Sequence, residues 1–256
     1  MSSSGGNSSV VTAVIAAHDE SANIHECIVS VRWAREVIVV ENDSADDTIA
    51  VARTAGATVI SPHFTTIGAA RNQGIERAET EWILVLDADE RCTPELAQEI
   101  EQTVHRTELV AFRIPRRNFF LGKEIRHGGW ESDKPVRLFR RELRYNANMV
   151  HEHVDVPRGA AIGETKGSLL HYTYNSLDQY FEKFGRYSRW WAQQNYAKGR
   201  RAGPAMIFFR PPLRFIKMYL FRGGFLDGAH GLLLSCLAAA SVMAKYARLW
   251  ERSIRE

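Results

Sequence analysis

Residues Ile83 to Glu90 read ILVLDADE, an apolar run that ends in three carboxylates, Asp87, Asp89 and Glu90. Two carboxylates about 4 Å apart repel by roughly 1 kcal/mol in water and about 4 kcal/mol at an effective dielectric of 20, so the cluster needs positive charge among its members. One reading is a helix start. Thr93 as cap, Pro94 in the first position and Glu95 in the first turn form such a signal, and nearby acids favour the helix dipole. It accounts for Glu90 and Glu95. It accounts poorly for Asp87 and Asp89, which lie at a strand end and point to one side with a period of two. The other reading is a hard cation, Mg²⁺ or Mn²⁺, held together with phosphate oxygens.

The elements that must position these acids follow from periodicity. Val10 to Ala16, Val37 to Val40, Thr58 to Ile60 and Trp82 to Leu86 read as strands, and Ala22 to Trp33, Asp46 to Ala55 and Ile67 to Glu79 as helices, with Ser44 and Asp47 as a capping-box-like pair. This alternation predicts a mostly parallel sheet covered on both faces. Ligands of such sheets bind beyond the carboxyl ends of the strands, where His18, Asp19 and Glu20, then Glu41 to Ser44, and then Asp87 to Glu90 all fall. After Leu109 the texture changes to short strands and turns, and from Ser176 to helices interrupted near Gly199 to Pro204 and Arg222 to Gly224. The expected organisation is a disordered leader over 1–9, an α/β half over 10–108, a β and loop half over 109–175, and a helical region over 176–256.

Composition excludes several classes. With 256 residues, 45% hydrophobic and 25% charged, the chain is an ordinary globular protein rather than a disordered one. Cys27, Cys92 and Cys236 are widely spaced and suggest neither a disulfide framework nor a zinc site, and His127 and His151 lack metal-ligand spacing with a third histidine. The start, MSSSGGNSSV, lacks the features of a signal peptide, so a cytoplasmic location is expected. Net charge is only +3, but Arg113 to Arg144 holds ten Lys or Arg against four acids, and Phe181 to Arg222 ten against one. An anionic partner for the second half is implied, whether diphosphate, nucleic acid or lipid headgroup.

The motifs VIAAHDE, VIVVENDSADDT and GAARNQGIERAETEWILVLDADE, in that order, resemble the family-2 glycosyltransferases. Their most specific part is an Arg-Asn-x-Gly helix followed by a strand ending in Asp-x-Asp. The stretches RRNFFLGKEIRHGGWESDKPVRLFRR, VHEHV and RGGFLDGAHGL look like a narrower branch that builds lipopolysaccharide core and related envelope glycans, and the similarity covers nearly the whole chain. The resemblance implies a GT-A fold: a Rossmann-like, mostly parallel α/β sheet with an added β layer and a C-terminal helical extension. It implies a nucleotide-diphosphate sugar as donor and Mn²⁺ or Mg²⁺ as cofactor. Asp89 would be the metal contact, with Asp87 beside the metal or ribose. Ala17 and Glu20 would edge the base and ribose. Glu41 stands where the family commonly has an aspartate on the base, which leaves the nucleobase open. Arg71 would reach a phosphate, with a surface helix residue as the alternative. In VRLFRR, Arg137, Arg140 and Arg141 alternate with apolar residues as a half-buried strand would. Guanidinium groups match phosphate oxygens bidentately, so one of them, Arg137 or Arg140 foremost, would hold the diphosphate, and a solvated strand face is the alternative.

Inverting transfer needs a carboxylate near the nucleophile. The family places one after the added strands, which here selects Glu152 ahead of Asp133; a simple salt bridge to an arginine is the alternative for Glu152. Trp130 is a candidate for stacking on a sugar or for the core. The segment Arg210 to Phe225 mixes apolar and basic residues and reads as an interfacial amphipathic surface or as a core helix, and the apolar run Leu232 to Ala244 is too short to span a bilayer, for which about 20 residues are needed. The combined expectation is an inverting enzyme, peripheral on the inner face of the membrane, with a lipid-linked saccharide acceptor, an anionic membrane surface as partner, and a homo-oligomer left open. Transfer to a polyprenyl phosphate is the alternative within the class. A nucleic-acid binder or an inactive scaffold of the same fold is the rival outside it, and nucleic acid is disfavoured because Asp87 and Asp89 would repel phosphates.

Overall fold

The structure, a computed structural model, describes residues 9–64, 66–146 and 152–255. The expected leader, except for Ser9, and His151 lie outside the described residues.

The chain forms two compact units, residues 1–116 with 134–171, and 117–133 with 172–256. In order, the elements are β1 (Val11–Ala17), α1 (Ile24–Ser30), β2 (Glu36–Glu41), α2 (Thr48–Thr54), β3 (Thr58–Ile60), α3 (Ile67–Arg77), β4 (Trp82–Asp87), β5 (Glu90–Cys92), α4 (Pro94–Thr103), β6 (Ala111–Arg113), β7 (Arg116–Phe120), β8 (Lys123–Ile125), β9 (Val136–Arg140), β10 (Ile162–Glu164), β11 (Leu169–Tyr174), α5 (Leu177–Ala197), α6 (Pro204–Ile216) and α7 (Gly228–Ile254). A π-helical segment, Lys217–Phe221, and a 3₁₀ turn, Gly224–Asp227, join α6 to α7.

The first unit contains a seven-stranded sheet in the order β10-β6-β9-β4-β1-β2-β3. β4, β1, β2 and β3 are parallel, as the alternation requires, and β9 is antiparallel to both β4 and β6. The central strands are buried on both faces, which explains their unbroken β-branched runs. One core holds Ile15, Ile28, Trp82, Leu84 and Leu96, and the other Val14, Val40, Ile75, Val85 and Phe139. Thr93 caps α4 as expected, its hydroxyl accepting from Leu96 N–H at 3.2 Å. At α2 the expected pair gives way to a neighbour: Asp47 makes no side-chain cap, and Asp46 accepts from Thr48 N–H at 2.9 Å.

The second unit joins the β7–β8 hairpin to the helices. Its core is Phe120, Ile125, Tyr180, Met218, Leu234 and Leu237, with Trp130 packed against it. Asp227 locks the unit together: its carboxylate accepts from the backbone N–H groups of His127 (2.9 Å) and Arg126 (3.3 Å), and its carbonyl accepts from Lys123 Nζ (2.8 Å). Gly231 must lack a side chain, because a Cβ there would lie 1.8 Å from the Gly224 carbonyl oxygen. The RHGGW and RGGFLDG motifs thus brace one another. A mostly parallel α/β sheet, added antiparallel strands and C-terminal helices make up the fold class that the resemblance implied.

Candidate functional site

The site grows from the Arg-Asn-x-Gly segment of α3. A Cβ at Gly74 would come within 2.4 Å of Val14 and 2.8 Å of Val40, so glycine is what lets this helix lie close against β1 and β2. Asn72 brackets the backbone of Tyr145, donating to its carbonyl and accepting from its N–H, both at 2.9 Å. Arg71 is buried between these contacts. Its guanidinium lies 4.9 Å from the Tyr145 ring centroid, donates to Asp87, and donates to Glu152 Oε1 at 2.8 Å.

Arg71 is one of three arginines at the end of β4. Arg137, buried on β9, donates to Asp87 and lies 3.2 Å from Glu90, while Arg116 lies 3.3 Å from Asp87 and 2.5 Å from Glu90. The fully buried Glu90 also accepts from the Asp87 N–H at 2.8 Å. Three guanidinium charges thereby meet three carboxylates, Asp87, Glu90 and Glu152. Burial alone would raise the Asp87 pKa, but Arg137, Arg71 and Arg116 hold it well below the usual carboxylate range. In turn Asp87 raises the already high values of Arg71 and Arg137 against the opposing effect of burial.

This cluster revises several expectations. Both oxygens of Asp87 are engaged by guanidinium groups. Arg71 is buried and committed to carboxylates, not a surface helix residue. Glu152 makes the salt bridge that was its alternative. Arg140 does not share the site with Arg137. Because β9 runs antiparallel to β4, Arg140 pairs with Trp82 at the amino end of β4. There it lies 4.3 Å over the Trp82 ring, pairs with Glu81 and donates to the Thr107 carbonyl at 3.1 Å. Asp133 is half-buried in the second unit.

Asp89 is buried, and its Oδ1 lies 3.7 Å from His171 Nε2. The β11–β5 register produces this approach by pairing His171 with Glu90. Among the described residues no three His, Cys, Asp or Glu side chains form a metal cluster. A carboxylate oxygen and an imidazole nitrogen are nevertheless a donor pair that suits Mg²⁺ or Mn²⁺ if phosphate oxygens and water complete the shell. Sequence reasoning missed Arg116 and His171. The signal for His171 was a lone imidazole in the half-buried strand SLLHYTY.

Beside these residues, the loops after β1 and β2 are laced together. Asp19 N–H donates to Ser44 Oγ (3.0 Å), Asp19 Oδ1 accepts from Ala45 N–H (2.7 Å), Glu20 N–H donates to Thr48 Oγ1 (2.8 Å), and Ser21 N–H donates to Asp46 Oδ2 (3.0 Å). Asp19 and Asp43 adopt left-handed backbone, with φ of 54° and 51°. Burial opposes it, but hydrogen bonds from Thr48 and Ser21 hold the Asp46 carboxyl below the usual range. Ala17 and Glu41 are buried neighbours across β1 and β2, and Glu41 accepts from the Ser44 N–H. Glu20 is half-buried, its Oε2 accepting from Asn23 at 2.8 Å. The two acidic motifs therefore shape one another.

Residues 12–162 match the family model described as glycosyl transferase family 2. A lipopolysaccharide core biosynthesis glycosyltransferase of Rhizobium meliloti is 27% identical over 93% of each chain. An uncharacterized glycosyltransferase of Rickettsia prowazekii is 28% identical over 96% of this chain and 88% of its own. Among solved structures, glucosyl-3-phosphoglycerate synthase from Mycobacterium tuberculosis, in complex with Mn²⁺, uridine diphosphate and glucosyl-3-phosphoglycerate, is 17% identical with a TM-score of 0.48, over 67% of this chain and 75% of that one. That likeness is partial, and nothing about donor or metal follows from it. The match over 12–162, more than half of its length, places the chain in glycosyl transferase family 2.

Proposed function

We propose that this family-2 glycosyltransferase is an inverting enzyme that moves a sugar from a nucleotide-diphosphate donor to a lipid-linked saccharide. It would work at the cytoplasmic face of a membrane, in the assembly of lipopolysaccharide core or a related envelope glycan. The observation that supports this reading best is the division of charge at the end of β4. Asp87, Glu90 and Glu152 are matched by three arginines, and Asp89 lies beside His171. Asp89 and His171 are the residues that would hold Mg²⁺ or Mn²⁺. A cation held there would supply Lewis-acid stabilisation of the leaving diphosphate. Arg71, Arg116 and Arg137 fix Asp87 and Glu90 under the donor, and Ala17, Glu20 and Glu41 line its base and ribose edge. The identity in lipopolysaccharide synthesis draws on the Rhizobium meliloti relative, which is similar over nearly the full chain.

Glu152 is the preferred base. Arg71 holds its Oε1, which leaves Oε2 to take the proton from the acceptor hydroxyl, and Asp133 is the other candidate. The same salt bridge supports a second reading, transfer to a polyprenyl phosphate, in which the acceptor arrives ionised and Glu152 only steadies Arg71.

Nucleotides screened by thermal shift with and without Mn²⁺ test the donor site. A ligand at 100 times its Kd stabilises by roughly 2.7 kcal/mol. Asp89→Asn and His171→Ala are expected to lose the Mn²⁺-dependent part of that shift while keeping the unliganded melting temperature. A wild-type protein that neither shifts nor depletes any nucleotide sugar with Mn²⁺ would point to an inactive scaffold. Glu152→Gln and Asp133→Asn, assayed side by side, separate the bases: loss of a general base lowers turnover by roughly 10² to 10⁴ with donor affinity kept. Normal turnover in both indicates the polyprenyl phosphate.

A further inference from the structure

The second unit shows its apolar side to solvent. Along α6 and the π segment, Phe208, Phe209, Leu213 and Phe221 are 73%, 69%, 64% and 82% exposed. The inner side is taken up by other residues, Pro211 and Met218, which are buried, while the exposed Arg210 donates from Nη1 to the Tyr246 hydroxyl of α7 at 2.6 Å. A continuous row of large exposed side chains on one helix is not the surface of a solvated face. Its charge is one-sided. From Lys183 to Leu226 the chain has ten Lys or Arg and no Asp or Glu, and Arg210, Lys217 and Arg222 are exposed within the apolar row itself.

From these observations we infer that α6 and the π segment Lys217–Phe221 form an in-plane docking element for an anionic lipid bilayer, with Phe208, Phe209, Leu213 and Phe221 entering the acyl boundary and Arg210, Lys217 and Arg222 on the headgroups. The inference deepens the membrane attachment proposed above by naming its element and its geometry. Exposed aromatic and aliphatic side chains interleaved with basic ones, and no acid, are what an anionic interface selects. A second protein copy would bring Arg210, Lys217 and Arg222 against themselves with no acid to match them, so a self-contact on this face is disfavoured.

α7 is the competing element. Among the described residues, the stretch Gly224–Ile254 is the one helix long and apolar enough to cross a membrane. Its first half, however, is built into the protein. Leu234 and Leu237 pack with Phe120, Tyr180 and Met218, the Tyr180 hydroxyl donates to the Leu237 carbonyl at 3.1 Å, and the Ser235 hydroxyl donates to Gly231. Crossing the bilayer would pull these contacts apart and empty the core of the second unit. α7 is therefore the back support of α6, not a span.

The full chain is sedimented with vesicles of phosphatidylcholine alone and with vesicles containing phosphatidylglycerol. Wild type is expected to pellet with the anionic vesicles and to be released by alkaline carbonate. The variant Phe208→Ser, Phe209→Ser, Leu213→Ser, Phe221→Ser is expected to bind at least tenfold more weakly. Arg210→Gln, Lys217→Gln, Arg222→Gln together are expected to weaken anionic partition on the order of a hundredfold, at about fivefold per charge. Circular dichroism and melting temperature confirm that each variant folds. If wild type ignores both vesicle types, attachment and docking element fall together. If wild type binds and the variants bind equally, attachment stands and this element is wrong. Resistance to carbonate would make α7 a span and overturn the in-plane geometry. A concentration-dependent dimer that the Ser variant abolishes, with no vesicle binding, would make the face a self-contact and overturn the proposal.

Discussion

The two units use arginine in opposite ways. In the first, Arg71, Arg116 and Arg137 are turned inward onto Asp87, Glu90 and Glu152; in the second, Arg210 and Arg222 stand exposed among apolar side chains in a stretch without a single acid. Buried charge is tolerated only when it is matched and hydrogen-bonded, so the first arrangement is a rigid frame whose parts depend on each other. Exposed charge costs little and contributes little within the chain, so the second arrangement is a surface whose parts depend little on each other. Composition alone shows a basic excess both in Arg113 to Arg144 and in Phe181 to Arg222 and does not distinguish a frame from an exposed charged surface.

The comparison breaks most severely at Arg137. Arg137→Met removes one guanidinium from both Asp87 and the fully buried Glu90. Breaking one side of a buried charge network costs about 3–5 kcal/mol, which urea unfolding should register as a lower midpoint. A loss under about 1 kcal/mol would show that the cluster is not a frame.

Acid separates the units with a smaller effect. The Asp87 pKa is depressed by its arginines, so its contribution is complete above about pH 4 and is lost only as the pH falls through its much lower folded value. In the second unit, hydrogen bonds from Arg117, followed in effect by those from Arg126 and opposed by burial, bring Glu124 from 4.5 to about 2. The stability difference between wild type and Glu124→Gln should therefore be full above about pH 4.5, decline below it, and be nearly gone at pH 2. The Asp87→Asn difference should outlast it into stronger acid. Equal fading of both differences would mean that the buried cluster does not hold Asp87 more firmly than the surface pair holds Glu124.

The smallest expected effect sharpens the contrast. Arg210→Gln, Lys217→Gln, Arg222→Gln together should change stability in the absence of lipid by no more than about 0.5 kcal/mol per site, the usual range for exposed positions. Differential scanning calorimetry measures it. A large loss would show that these residues, too, are structural.

Much of this protein was legible in its sequence. The alternation of β-branched runs with helical periods determined the parallel sheet, because strands buried on both faces must be apolar throughout. It also placed Glu20, Glu41, Asp87 and Asp89 at the carboxyl ends of their strands. Breaks at Gly199 to Pro204 and Arg222 to Gly224 divided the last helices where the structure divides them.

What tertiary structure alone decided is which charges meet. Asp87 finds its arginines 16, 29 and 50 residues away, and such encounters depend on strand order and direction, which local periodicity does not carry. Arg137 and Arg140 are three residues apart and looked equivalent, yet the antiparallel course of β9 sends one to the site and the other to Trp82 at the far end of β4. His171 reaches Asp89 through the register of β11 on β5. The apolar side of α6 is outward because Pro211, with Met218 of the π segment, and not Phe208 and Phe209, was taken into the unit. Sequence set the types of charge and their strand ends; long-range pairing, which has no local signature, set their partners.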